Sequence, residues 1–263
     1  MHFLHTMKFM KTFLSLVFSL VIFSSLNAQA DNEIQVYASP TIGNKRTIVE
    51  LHSNYTFTGP KTLADAKTAR WLNETVEITH GFAENFEIGL YTFTALDPNG
   101  KFQYLGSQIR PRITAPQSWK WPLGVSLSAE FGFFRPDYSS PYVWGGEIRP
   151  IFDDTWGNWY VSLNPNIDFV FSGNDKGWNF APQLKTQYSI QNKWGIGFEY
   201  YSALGGSNGF LPGSMQEHLV GPMIDYLANP DWELNTGFLF GLTPNSNQVV
   251  FKVLVGRRFG GSK

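Results

Sequence analysis

Apolar and polar residues alternate along most of this chain with a period of two, in runs of ten residues or more. Leu123, Val125, Leu127, Ala129, Phe131 and Phe133 share one face of such a run, and Gly124, Ser126, Ser128, Glu130 and Gly132 share the other. From Trp159 to Phe171 and from Trp178 to Ile190 the pattern repeats. A helix would place apolar residues at i, i+3 and i+4. Strands of soluble proteins typically run about 5–6 residues. Alternating segments of about ten residues are instead the pattern of a strand with one face in lipid and one in a wet interior.

The pattern predicts twelve strands, at 47–57, 71–81, 86–96, 102–113, 123–134, 142–152, 158–171, 177–190, 194–204, 215–227, 232–242 and 248–259. The third and tenth are mixed: Tyr91 and Phe93 fall on the nominal inside and Pro222 on the nominal outside. The fold class expected is therefore all-β, a transmembrane antiparallel up-and-down barrel of about twelve strands. A soluble sandwich would leave the aromatic face in water and its edge strands unpaired; lipid and closure remove both costs.

Composition agrees. Charged residues are 16% of the chain, below the roughly 25% of an average soluble domain, and aromatic residues are also 16%. With no cysteine there is no disulfide framework, thiolate metal site or cysteine nucleophile. A net charge of −1 argues against a generally basic nucleic-acid binder.

Residues 1–30 look like an export signal. Lys8 and Lys11 precede an apolar run from Phe13 to Leu26, followed by Ala28-Gln29-Ala30 as a small-x-small cleavage site. The run falls short of the roughly 20 residues that a membrane-spanning helix needs. Met7 offers an alternative start. Cleavage after Ala30 removes two Lys and no acid, leaving 18 basic and 21 acidic residues. Residues 31–46 precede the first strand and are expected to form a periplasmic segment or a small plug; 47–263 form the barrel. Thr62–Leu72 has a weak helical pattern and could cap the first outer loop.

The gaps between strands alternate in length. Those at Thr58–Arg70 and Gly205–Ser214 are the longest and belong to one set, which should face outward, because outer-membrane barrels have short periplasmic turns and longer outer loops. All nine Trp lie at segment ends, as an interfacial girdle would place them.

Two stretches carry a family resemblance. Ile78-Thr79-His80-Gly81-Phe82-Ala83-Glu84-Asn85-Phe86-Glu87-Ile88-Gly89-Leu90 is similar to a strand-turn-strand pattern, and Leu234–Gly237 with Phe240–Thr243 is similar to a closing hairpin. Both occur in Gram-negative outer-membrane barrels assigned to transport in the meta-pathway of phenol degradation. The chain departs from the first pattern in having His80-Gly81-Phe82-Ala83 where Tyr-Gly-Leu-Thr is usual. The resemblance implies passage of small, often apolar molecules and no catalytic residues. It also implies an assembly signal ending in an aromatic residue; Phe259 would serve, four residues from the end.

The expected function is a passive outer-membrane channel or uptake route for small solutes, with a non-transporting structural or surface-interaction barrel as the alternative. The partners expected are membrane lipids, the outer-membrane assembly machinery and a small-molecule solute, with no nucleic acid. Catalysis at His52-Ser53-Asn54 is disfavoured, because adjacent residues point to opposite faces of a strand. His52, His80 and His218 show no metal-ligand spacing, and no cofactor is expected.

The candidate lumen or constriction residues are Glu130, Glu147, Arg149, Lys185 and Glu199, read as a mixed-charge belt. Lys185 and Glu199 are each seven residues from Asn192, the centre of a short turn, and so should lie opposite one another. Arg in place of Leu127 or Phe169 is expected to harm folding, and Arg in place of Ser126 or Asn166 to leave it nearly unchanged.

Overall fold

The computed structural model describes residues 32–62, 68–136, 138–174 and 176–261. The expected leader lies outside them, as do 63–67 of the expected loop cap. Twelve long antiparallel strands close into a barrel: β1 (Arg46–Thr58), β2 (Leu72–Ala83), β3 (Phe86–Leu96), β4 (Phe102–Thr114), β5 (Gly124–Phe134), β6 (Val143–Trp156), β7 (Trp159–Val170), β8 (Gly177–Ile190), β9 (Trp194–Ala203), β12 (Glu217–Tyr226), β13 (Trp232–Gly241) and β14 (Val249–Gly260). Two short strands, β10 (Gly205–Gly206) and β11 (Gly209–Phe210), form a hairpin beyond β9.

Each long strand pairs with its neighbours in sequence. β9 pairs with β8 and β12, and β1 pairs with β14 to close the ring. No edge is left among the twelve, which is what lipid requires of a sheet that crosses it. We call the end where Arg46 pairs with Gly260 the near end and the opposite one the far end.

The alternation in the sequence becomes the two faces of the wall. Leu90, Phe131, Leu163, Phe198 and Val255 are exposed on the outside. Thr75, Ser128, Ser162, Asn164 and Asn166 are fully buried inside. The expected ladder of β8 and β9 is present: Ile190 pairs with Trp194, Lys185 with Glu199 and Gln183 with Tyr201. Gln191 and Asn192, both at φ 53°, make the turn between them.

Three differences from the sequence reading have physical causes. β6 reaches Trp156 rather than Phe152, because Asp153, Asp154 and Thr155 pair with Ser162, Val161 and Tyr160 to leave a two-residue turn at Gly157–Asn158. The loop after β9 contains the β10–β11 hairpin, which extends the wall by pairing Gly206 with Asn179 of β8. Trp71 does not join the girdle. It shares its parity with the inward residues Asn73, Thr75 and Glu77 and is buried, whereas the other eight Trp are exposed at the barrel ends.

Candidate functional site

The lumen is occupied by the chain's own N-terminal segment. Asn32–Asn44 runs along the interior, joining no strand ladder among the described residues, and is held mainly by wall side chains. Its alternation sorts its contacts. Ile34 and Val36 pack with Tyr201, Leu219, Met223, Leu239 and Val250 of β9, β12, β13 and β14. The polar contacts go to β1, β2, β3, β4, β6 and β7. Thr75 Oγ1 donates to the Asn32 carbonyl at 2.7 Å, and Arg149 Nη1 donates to the Gln35 carbonyl at 3.1 Å.

Tyr37 is the most connected residue of the segment. Its backbone N–H donates to Asn164 Oδ1 at 2.7 Å, and its carbonyl accepts from Ser162 Oγ at 2.6 Å and Asn164 Nδ2 at 3.1 Å. Its hydroxyl donates to Glu33 and lies 2.6 Å from that of Tyr91. The guanidinium carbons of Arg110, Arg112 and Arg149 lie 4.9, 5.6 and 4.4 Å from the Tyr37 ring centroid, within the range of cation–π attraction.

Toward the near end, Ser39 N and Oγ donate to the two oxygens of Asp153 at 2.7 and 2.6 Å, and Ile42 N donates to Glu87 Oε2 at 2.7 Å. Arg112 donates to the carbonyls of Ala38 and Pro40. Gly124 makes the Ser39 contact possible: a Cβ there would stand 2.1 Å from both Ser39 Oγ and Asp153 Oδ1.

Cavities lie on both sides of the segment. A vestibule of about 920 Å³ at the near end is lined by Ala38–Thr41 together with Asp153 and Tyr160. Toward the far end is a pocket of about 30 Å³, lined by Glu33, Glu147, Arg149, Asp168 and Tyr201. An inward apolar patch of Trp71, Tyr91, Phe93, Leu105, Phe134 and Val143 lies in the far half of the barrel. Tyr138, from the loop after β5, stacks on Trp71 with ring centroids 3.5 Å apart. This patch is where the mixed alternation of the third strand leads.

All five candidate belt residues point inward and are buried, in two clusters. In one, Lys185 Nζ lies 3.1 Å from Glu199 Oε1 and 2.5 Å from Asp225 Oδ1, while Lys252 Nζ approaches Glu199 Oε2 at 2.8 Å. In the other, Glu130 lies opposite Glu147, and Glu147 lies opposite Asp168. Arg149 holds both oxygens of Glu147, and Asn166 Nδ2 donates to Glu147 Oε2 at 3.0 Å. Lys252 and Asp225 were not candidates, although both sit at inward positions of strands read from the sequence. They meet Lys185 and Glu199 from strands that are not direct neighbours in the wall, and the pattern within a strand does not specify such contacts.

Among the described buried residues there are nine Asp and Glu against five Lys and Arg. The interior is also packed, which corrects the expected tolerance of the inner face: Asn166 has no exposed surface and is bonded to Glu147, so Arg there would displace the network.

A model of the family described as "Putative MetA-pathway of phenol degradation" matches residues 99–251. No curated protein sequence matches the chain. Two porins have a similar fold. The KdgM porin shares 13% identity at a TM-score of 0.51, covering 81% of this chain and 99% of its own. The NanC porin shares 9% identity at a TM-score of 0.51, covering 81% and 100%. A KdgM porin structure in complex with disordered oligogalacturonate gives a TM-score of 0.50 at 14% identity.

Proposed function

We propose, from the premise that the chain belongs to this MetA-pathway family of outer-membrane β-barrels, that it is a passive channel for small solutes closed by its own N-terminal segment. The near end, with both barrel termini, faces the periplasm, and the longer loops face outward. The observation that carries the reading is how the segment is held. It relies on side-chain hydrogen bonds rather than a strand ladder, so it can leave without opening the wall.

The solutes favoured are uncharged, apolar in part, or cationic. Two inward apolar clusters offer surface to an apolar group. The excess of buried carboxylates repels anions, so a polyanion such as the oligogalacturonate held by the KdgM porin is disfavoured here. Liposome flux of a small neutral aromatic solute tests the proposal, comparing full-length protein with a variant lacking Asn32–Thr41. Higher flux through the deletion variant is expected. Equal, absent flux through both folded proteins would overturn the channel and leave the alternative, a sealed structural barrel, which the density of luminal hydrogen bonds supports.

A further inference from the structure

Three buried side chains on the first two strands have a geometry that neither bracing nor passage of solute explains. Glu50 and His52 are two apart on β1 and both point inward; Glu77 on β2 lies directly opposite Glu50. One donor atom from each lies within 4.8 Å of the other two. His52 Nε2 is 3.6 Å from Glu77 Oε2, too far for a hydrogen bond.

Both ring nitrogens of His52, and Glu77 Oε2, lack a hydrogen-bond partner, although His52 and Glu77 have 1% and 0% of their surface exposed. Buried polar groups are ordinarily paired, so His52 Nε2 and Glu77 Oε2, which face one another without a hydrogen-bond partner, need an explanation. The other two described histidines are paired: His80 to Thr47 Oγ1 at 2.8 Å, His218 to Tyr200 Oη at 2.6 Å.

We propose that Glu50, His52 and Glu77 bind one divalent transition-metal ion of the zinc type. Two ligands at ordinary Zn–N and Zn–O lengths around a tetrahedral centre stand about 3.4 Å apart, close to the 3.6 Å gap between His52 and Glu77. The second shell of Glu77 is in place. Glu77 Oε1 accepts from Arg110 Nη2 at 2.5 Å and Thr79 Oγ1 at 2.5 Å, which turns Oε2 toward His52. Gly89 leaves room for that arrangement, since a Cβ there would lie 2.7 Å from Thr79 Oγ1 and 3.1 Å from Glu77 Oε1.

Charge points the same way. Arg110 is shared between Glu77 and Glu87, and no Lys or Arg makes a salt bridge to Glu50 among the described residues. An imidazole with two carboxylates suits zinc and its neighbours better than calcium or magnesium, which prefer oxygen donors alone. The ion would join β1 to β2 just below the point where Asn54 and Thr75 hold the Asn32 carbonyl.

The proposal is independent of whether the lumen conducts. Untagged mature protein, folded in detergent, stripped with EDTA and dialysed, is titrated with Zn²⁺ and separately with Co²⁺. One ion per chain is expected, with visible Co²⁺ absorption of a low-coordinate nitrogen and oxygen site. His52→Ala and Glu50→Gln should each weaken binding by about tenfold or more, while His80→Ala and His218→Ala should not. Heat-modifiable migration on a gel confirms that each variant is folded, and Glu50→Gln decides if His52→Ala does not fold. No binding by wild type, or equal binding by wild type and folded Glu50→Gln, would overturn the site and leave a His52–Glu77 ion pair.

Discussion

Asn164 holds Tyr37 by both faces of its amide: Oδ1 accepts from the Tyr37 N–H at 2.7 Å, and Nδ2 donates to the Tyr37 carbonyl at 3.1 Å. One side chain thus supplies the donor and acceptor that a neighbouring strand would otherwise provide. Tyr37 is buried at the centre of the segment, so the pair fixes the segment where it crosses the lumen.

Asn164→Ala should therefore loosen the segment while sparing the wall. Leaving a buried backbone group unpaired costs about 1–3 kcal/mol, enough to raise the open fraction several-fold or more. Planar-bilayer recordings should show more frequent opening with unchanged heat-modifiable migration. Recordings indistinguishable from wild type would mean that this pair does not hold the lumen closed.

Gly124→Ala should loosen the near end of the segment. The added methyl occupies the space of the Ser39–Asp153 contacts. Increased cleavage by a protease added from the periplasmic side, between Ser39 and Arg46, is the expected result. An unchanged digestion pattern would place the segment's anchorage elsewhere.

Lys185→Met should destabilise the barrel more than it alters conductance. The ammonium lies between Glu199 and Asp225, and removing one partner of a buried ion pair costs roughly 3–5 kcal/mol. Lys252 still neutralises Glu199, which puts the effect at the lower end. The midpoint of unfolding, followed by gel migration against temperature, should fall, and adding Asp225→Asn should restore part of it. A lowered midpoint with no restoration would show that the two side chains are not coupled.

Leu127→Arg places a cation in lipid and should cost roughly 2–4 kcal/mol near the midplane. Leu127 is exposed on the outer face, where a soluble protein would tolerate the charge. Reduced folding yield into bilayers, with normal solubility of the urea-unfolded chain, is expected. An unaffected yield would argue that this face does not meet lipid.

The sequence by itself determined the wall. Period two fixes which residues share a face, and long segments with short turns fix antiparallel neighbours, so Lys185 and Glu199 could be paired by counting from Asn192. Trp71 shares the parity of Asn73, so the period places it inside although it stands at a strand end. Tertiary structure alone decided what fills the barrel. Lys252 reaches Glu199 from three strands away, and Tyr37 reaches Asn164 across 127 residues of sequence. The same holds for Glu50, His52 and Glu77: histidine spacing shows no ligand motif, because the donors come from facing positions on two strands. A local pattern records which way a side chain points; what it meets there depends on closure, which joins residues that no local period relates.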